Sequence, residues 1–258
     1  MTGARLLRGA IGAAGFLVVA ELVIRFGVSG RLDFPAPSAI LLEAVRLPAD
    51  PEFMAGVGTT LTNWVFGLLI ATLIAVPVGV LLGALSPLER AVRPLLEFMR
   101  PIPSVAIIPL AILLIPVDEL MKISVIVYAS VWPILINTLY GMHDVDPLAK
   151  ESLRSFGFGP LAVLTRVSLP SAAPFVATGV RIAAGIALVL AVSAELLAGG
   201  FNGIGVFVTV AGSGNRTDLM MAATFWAGVI GVLANVLLMA GERRLFHWHR
   251  MRTGATES

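Results

Sequence analysis

Cysteine is absent from this sequence, which excludes a disulfide framework, a thiolate nucleophile and any sulfur-ligated metal centre. Charge is scarce as well: Asp, Glu, Lys and Arg make up 13% of the chain, where about 25% is usual for a soluble domain. Lysine is scarcer still. Only Lys122 and Lys150 occur, and neither follows a glycine. A phosphate-binding G-x-x-x-x-G-K-[ST] loop therefore cannot be formed, and any nucleotide-driven work needs another polypeptide. The zinc-protease H-E-x-x-H and the hydrolase G-x-S-x-G are missing too, so the two commonest signatures of an intramembrane hydrolase are lacking. His143 stands isolated, and His247 with His249 falls in a basic, aromatic tail suited to the membrane interface. The formal charge of +2 gives no case for a nucleic-acid partner.

What the chain has in quantity is apolar surface: 57% of residues are hydrophobic and the mean hydropathy is +0.93. One water-soluble core of this length has no place for so much, whereas several bilayer-length helices do. Hydropathy places spans at 9–26, 61–85, 121–139, 172–198 and 222–241. The first follows Arg5 and Arg8 and could be a signal peptide, but no small-x-small cleavage site closes it, and it reads as a retained span. A sixth segment, Ser104 to Ile115, offers about 18 Å of helix against a ~30 Å hydrocarbon core. It is either re-entrant, or part of a helix that starts near Leu95 and passes through Pro101, Pro103 and Pro109.

Basic residues decide between these readings. With six spans and the N-terminus inside, the cytoplasmic face carries Arg5, Arg8, Arg90, Arg93, Arg100, Lys150, Arg154, Arg166, Arg243, Arg244, Arg250 and Arg252, twelve of eighteen. The outer face then holds most loop acids: Asp33, Glu43, Asp50, Glu52, Asp118, Glu119 and Asp218. Without the sixth span the basic connection at 140–171 and the basic C-terminus would face outward. The expected fold is all-α with six transmembrane helices and both termini cytoplasmic. Residues 1–60 hold the first span and an acidic outer loop, 61–250 the core, and 251–258 a cytoplasmic tail. Gly79 and Gly83 in the second span, and Gly179, Ala183, Ala184 and Gly185 in the fifth, mark close helix packing.

The connection at 140–171 is unlike its surroundings. Asp146 suits a helix N-cap, Pro147 the first helical position, Gly157 a helix end, and Pro160 a second start. Leu148, Leu153 and Phe156 recur at helical spacing, so two short helices around a Gly-x-Gly-Pro break are expected. By composition this could be an amphipathic connector resting on lipid headgroups. Its spacing is more specific. Glu151, then Gly157 six residues on, then Leu169-Pro170, with Pro174 beyond, resembles the Glu-Ala-Ala motif of binding-protein-dependent ABC importer permeases. The register is kept without gaps, while Ser152 and Leu153 stand where that motif has alanines. Arg100-Pro-Ile-Pro-Ser-Val-Ala-Ile-Ile-Pro-Leu110, Trp132-Pro-Ile-Leu-Ile-Asn137-Thr138, Ala194-Glu-Leu-Leu197, Arg216-Thr-Asp218 and Glu242-Arg-Arg-Leu245 resemble the nitrate/sulfonate/taurine branch. The likeness covers 61–250.

The resemblance implies that 147–170 docks in a groove of a separate ATPase through Lys150, Glu151, Arg154, Phe156, Gly157, Phe158, Leu169 and Pro170. Glu151 would serve there as a charged contact or as a brace to Arg154 at i+3. It also implies a pair of ATPase subunits holding ATP and magnesium, a second permease copy, an external solute-binding protein, and a bacterial inner-membrane location. No cofactor is expected on this chain. Among ionisable residues deep in the spans are Glu21, Arg181 and Glu195. Arg181 and Glu195 lie about 21 Å apart along one helix and cannot pair with each other. Each either pairs with polar groups of neighbouring helices or, with Asn137, lines and gates the route for a small anion. An ion-gradient-driven secondary transporter is the competing class, for which buried ionisable residues would carry the coupling.

Overall fold

Proline and hydropathy together set where the helices begin, end and bend. The computed structural model describes residues 2–28, 34–99 and 101–245. Asp33, Arg100, His247, His249, Arg250, Arg252 and the 251–258 tail lie outside the described residues. Every regular element among them is helical: α1 (Thr2–Leu22, extended by a π-turn Val23–Val28), α2 (Pro37–Arg46), α3 (Pro51–Ala84), α4 (Ser86–Met99), α5 (Ile108–Leu114), α6 (Asp118–His143), α7 (Pro147–Ser155), α8 (Pro160–Val163), α9 (Leu169–Ala198), α10 (Ile204–Ser213) and α11 (Thr217–Leu245).

Five stretches are long and apolar enough to cross a bilayer: Leu7–Phe26, Pro51–Ala84, Asp118–His143, Pro160–Ala198 and Thr217–Leu245. The second begins ten residues earlier than hydropathy indicates, because Asp50 caps it. Its Oδ1 accepts the N–H groups of Glu52 at 2.8 Å and Phe53 at 3.2 Å, with Pro51 in the first turn. The sixth segment is not a helix running through its prolines. Ser86–Met99 and Ser104–Leu114 are bent by 81° to one another. Pro103 takes an extended ψ of 113° and, like Pro101, has no N–H to continue the ladder. Counting this bent pair as one broken span gives six. Hydropathy gave no sign of the short helices α2 and α10 or of amphipathic α4.

By its internal contacts the chain forms two units, 1–59 with 199–229, and 60–198 with 230–258. In the first, Phe53 and Phe207 meet edge to face at 5.3 Å, and the Trp226 indole donates to the Ala44 carbonyl at 2.7 Å. Gly56 passes the Gly203 backbone so closely that a Cβ would stand 3.1 Å from it.

In the second unit α6 packs along α9, and α3 runs beside α6 on a row of glycines. Cβ atoms at Gly79 and Gly179 would lie 2.8 Å from Thr138 and 2.9 Å from Asn137. Around these contacts sit Leu68, Ala71, Ala75, Ile134, Leu135, Ala183 and Ala184, all buried. In a bilayer this packing supplies the association energy that water would otherwise drive. Gly185 departs from expectation: nothing lies within 4 Å of its Cβ position, so it is not a packing glycine among the described residues.

Candidate functional sites: the 147–170 segment and the intramembrane ion pairs

Asp146 caps α7 as its position indicated, its Oδ1 accepting the Leu148 N–H at 2.8 Å with Pro147 at the first position. The helix ends in a Schellman turn. Gly157 N–H donates to the Arg154 carbonyl at 2.9 Å and Phe158 N–H to the Leu153 carbonyl at 3.1 Å. Gly157 takes φ +83°, where a β-carbon is strained, yet nothing lies within 4 Å of its Cβ position. Within this chain, its side-chain direction is open.

The second short helix is not a separate element. α8 runs through a π-turn, Leu164–Ser168, directly into α9, and the Leu169 N–H reaches the Leu164 carbonyl five residues back. The wider turn accommodates Pro170, which has no N–H to give the Arg166 carbonyl. The segment after the break is therefore the end of a spanning helix. A displacement imposed on it is a displacement of the span.

The surface of the segment is apolar and charged together. Leu148, Phe156 and Leu161 are 68%, 82% and 74% exposed. Phe158 is also exposed, with the Arg166 guanidinium 4.8 Å above its ring. Lys150, Glu151 and Arg154 form no ion pair among the described residues, so the i+3 brace from Glu151 to Arg154 does not form. Leu169 is half-buried and Pro170 exposed.

Deep in the spans, ionisable residues pair across helices. Glu195 is fully buried and accepts from the Thr60 hydroxyl, with Oε1 at 2.8 Å and Oε2 at 3.0 Å. Arg181 Nε stands 3.2 Å from Glu242 Oε2 on α11, close enough for an ion pair but off the angle of a hydrogen bond. Thr178 Oγ1 lies 3.2 Å from the other Glu242 oxygen. Asn137 donates Nδ2 to the Pro133 carbonyl at 2.8 Å and packs its Cβ against Gly179. Arg181, Glu195 and Asn137 thus fall into separate contacts and are not gathered into one site.

Two participants escaped the sequence reading. Glu242 sits just past the hydropathy-defined end of its span, and nothing local couples it to Arg181. Lys122 is 1% exposed and bonded to Asp118 Oδ2 at 2.7 Å. It is the second residue of the span that hydropathy places at 121–139, and nothing local marks it as buried. His143 is not isolated, for its Nε2 lies 2.9 Å from Glu89 Oε2.

A helical membrane bundle with a capped, exposed helix joined to a spanning helix defines a class, and comparison names it. Residues 71–247 match the family described as binding-protein-dependent transport system inner membrane component. A probable ABC transporter permease of Brucella melitensis is 30% identical over 246 residues, covering 95% of this chain and 97% of its own. The taurine transport system permease protein TauC of Escherichia coli K12 is 32% identical over 224 residues, covering 84% and 81%. A chain of a bacterial ABC transporter involved in import of the acidic polysaccharide alginate shares the fold, with TM-score 0.63 and 17% identity over 94% of this chain and 95% of its own. The chain belongs to the binding-protein-dependent inner-membrane permeases, in their nitrate/sulfonate/taurine branch. It is a multi-pass permease of an ATP-driven importer, and the ion-gradient alternative falls away.

Proposed function

We propose that this permease imports a small anion of the sulfonate, taurine or nitrate kind, and that 147–170 is where a separate ATPase pair drives it. The observation that carries the coupling role is the exposed Leu148, Phe156 and Leu161, set among unpaired charges on a segment continuous with a span. Such a mixture suits a protein–protein contact better than a headgroup-facing connector. The ATPase subunits would hold ATP and magnesium, a role supported by the lack of a G-x-x-x-x-G-K-[ST] sequence in this chain. A second permease copy would complete the route, and an external solute-binding protein would deliver substrate to it. ATP binding would close the ATPase pair and, through α8 and α9, open the path outward; hydrolysis would reset it. The anionic substrate is supported by similarity to permeases named for bicarbonate and aliphatic sulfonate transport.

The energy source is testable in sealed vesicles containing the permease and its ATPase. Uptake should require ATP and survive an uncoupler, and the permease alone should bind no nucleotide. Uptake that collapses with the proton gradient while ATP stays abundant would overturn the reading.

We also propose that both termini and 147–170 face the cytoplasm, a reading supported by the twelve of eighteen basic residues that this topology places inside. In this cysteine-free chain, Ser152→Cys and Ser213→Cys should label from opposite faces of the membrane. Labelling from the same face would exclude the six-span topology.

A further inference from the structure

Helices α3, α9 and α11 line an open-sided cavity of about 490 Å³ on the second unit. Its walls are aliphatic, with Val76, Val80, Val176, Ala177 and Leu237 among them. Only Arg181 and Glu242 bring charge to it. Arg181 lies about 18 Å along the helix axis from Leu169 at the start of α9, within the spanning stretch.

The guanidinium is used on one side only. Its Nε faces the Glu242 carboxylate, whose other oxygen lies beside the Thr178 hydroxyl. Its two terminal nitrogens make no hydrogen bond among the described residues. Arginine carries five N–H donors in a rigid fork, and leaving such donors without partners in a membrane interior is costly. The free edge has the shape that takes two oxygens of a carboxylate, sulfonate or phosphate at once. The walls beside it offer nothing to a hydrated ion and much to an alkyl or aryl group.

We propose that this cavity binds an amphipathic anion, with its oxyanion head on the Arg181 terminal nitrogens and its apolar body along α3, α9 and α11. Glu242 and Thr178 are positioning residues: they hold the guanidinium so that its free edge lines the cavity. A small hydrated ion such as nitrate satisfies the head and wastes the walls. The anion can come from the membrane, as a fatty acid or phospholipid, or from the transported solute; the second source rests on the importer reading above.

The test uses the full-length chain in lipid nanodiscs, with octanesulfonate as probe below its micellar concentration. Saturable binding of one molecule per chain is expected. Arg181→Gln should weaken it on the order of 10- to 100-fold, the loss of a charge-assisted bidentate contact. Arg181→Lys should recover only part. Ala177→Trp, which fills the cavity and leaves the arginine, should abolish binding. Ethanesulfonate should bind at least about tenfold more weakly for want of apolar contact, and octyltrimethylammonium should not compete. Unchanged affinity in both Arg181→Gln and Ala177→Trp, or equal competition by the octyl cation, would overturn the proposal, since either means partition into lipid alone. Should Arg181→Gln fail to fold, Ala177→Trp and the cation still decide.

The source is read separately. Lipid or fatty acid that co-purifies, is displaced by octanesulfonate and is lost in Arg181→Gln assigns the membrane source. ATP-dependent uptake of octanesulfonate by the whole transporter assigns the solute. Because binding is measured without the ATPase, its failure leaves the coupling role of 147–170 standing, and failed coupling leaves the site standing.

Discussion

Replacing Gly157 with Val, or Glu151 with Lys, is expected to leave the spans inserted and to abolish productive coupling to the ATPase. Gly157 holds φ +83°, so a β-carbon there costs on the order of 1–2 kcal/mol of backbone strain. Its Cβ direction is otherwise open, so the chain by itself should lose little more than that. Any larger effect must come from what lies against that surface. Glu151 is exposed, so reversing its charge costs the isolated chain almost nothing. At a docked interface the same changes should act as a central truncation does, reducing substrate-stimulated ATP hydrolysis on the order of tenfold or more. The measurement is paired: co-purification of permease with ATPase, and stimulated hydrolysis in the reconstituted complex. Leu153→Ala, which restores an alanine of the Glu-Ala-Ala motif that the segment resembles, should be tolerated. Normal assembly and full-rate transport in the Gly157 and Glu151 variants would reduce 147–170 to a surface connector.

The second large effect concerns assembly of the bundle. Gly79→Leu should prevent α3 from seating on α6, because its Cβ would already stand 2.8 Å from Thr138 before any further atom is added. Gly179→Leu should do the same between α9 and α6, where the obstacle is partly backbone: the Ile134 Cα and the Pro133 carbonyl oxygen both lie at 3.1 Å. Overpacking of a tight core typically costs about 1–3 kcal/mol, and a contact with backbone cannot be relieved by a rotamer change. Gly185→Leu, in the same helix as Gly179 but with open space at its Cβ, should be far milder. Thermal unfolding of the detergent-purified variants, followed by size-exclusion chromatography, reads the difference. Equal losses at Gly179 and Gly185 would show that close packing against α6 does not set the penalty, since Gly→Leu improves helix propensity at both positions.

That contrast also shows where sequence reading stops. Gly179 and Gly185 lie on one predicted span and look alike as small residues. Six residues turn an α-helix through about 600°, so the two fall on different faces. Which face meets a neighbour depends on where that neighbour is. The same holds for charge. Arg181 and Glu195 are evident as deep ionisables, and pairing with other helices was among the readings open. Neither Thr60 nor Glu242 carries a local mark of being the partner. Lys122, at the edge of the 121–139 span, carries no local mark of burial, and only the surrounding helices bury it.

The chain's membrane class, five of its six spans and the capped helix with its glycine turn follow from local physics. A run of apolar residues must leave water wherever it sits, and Asp-Pro and a positive-φ glycine act within a few residues of themselves. The burial of Lys122 and the Arg181–Glu242 pair beside an aliphatic cavity were decided by tertiary structure. Each depends on helix rotation and on contacts between segments far apart in sequence, which no local pattern encodes.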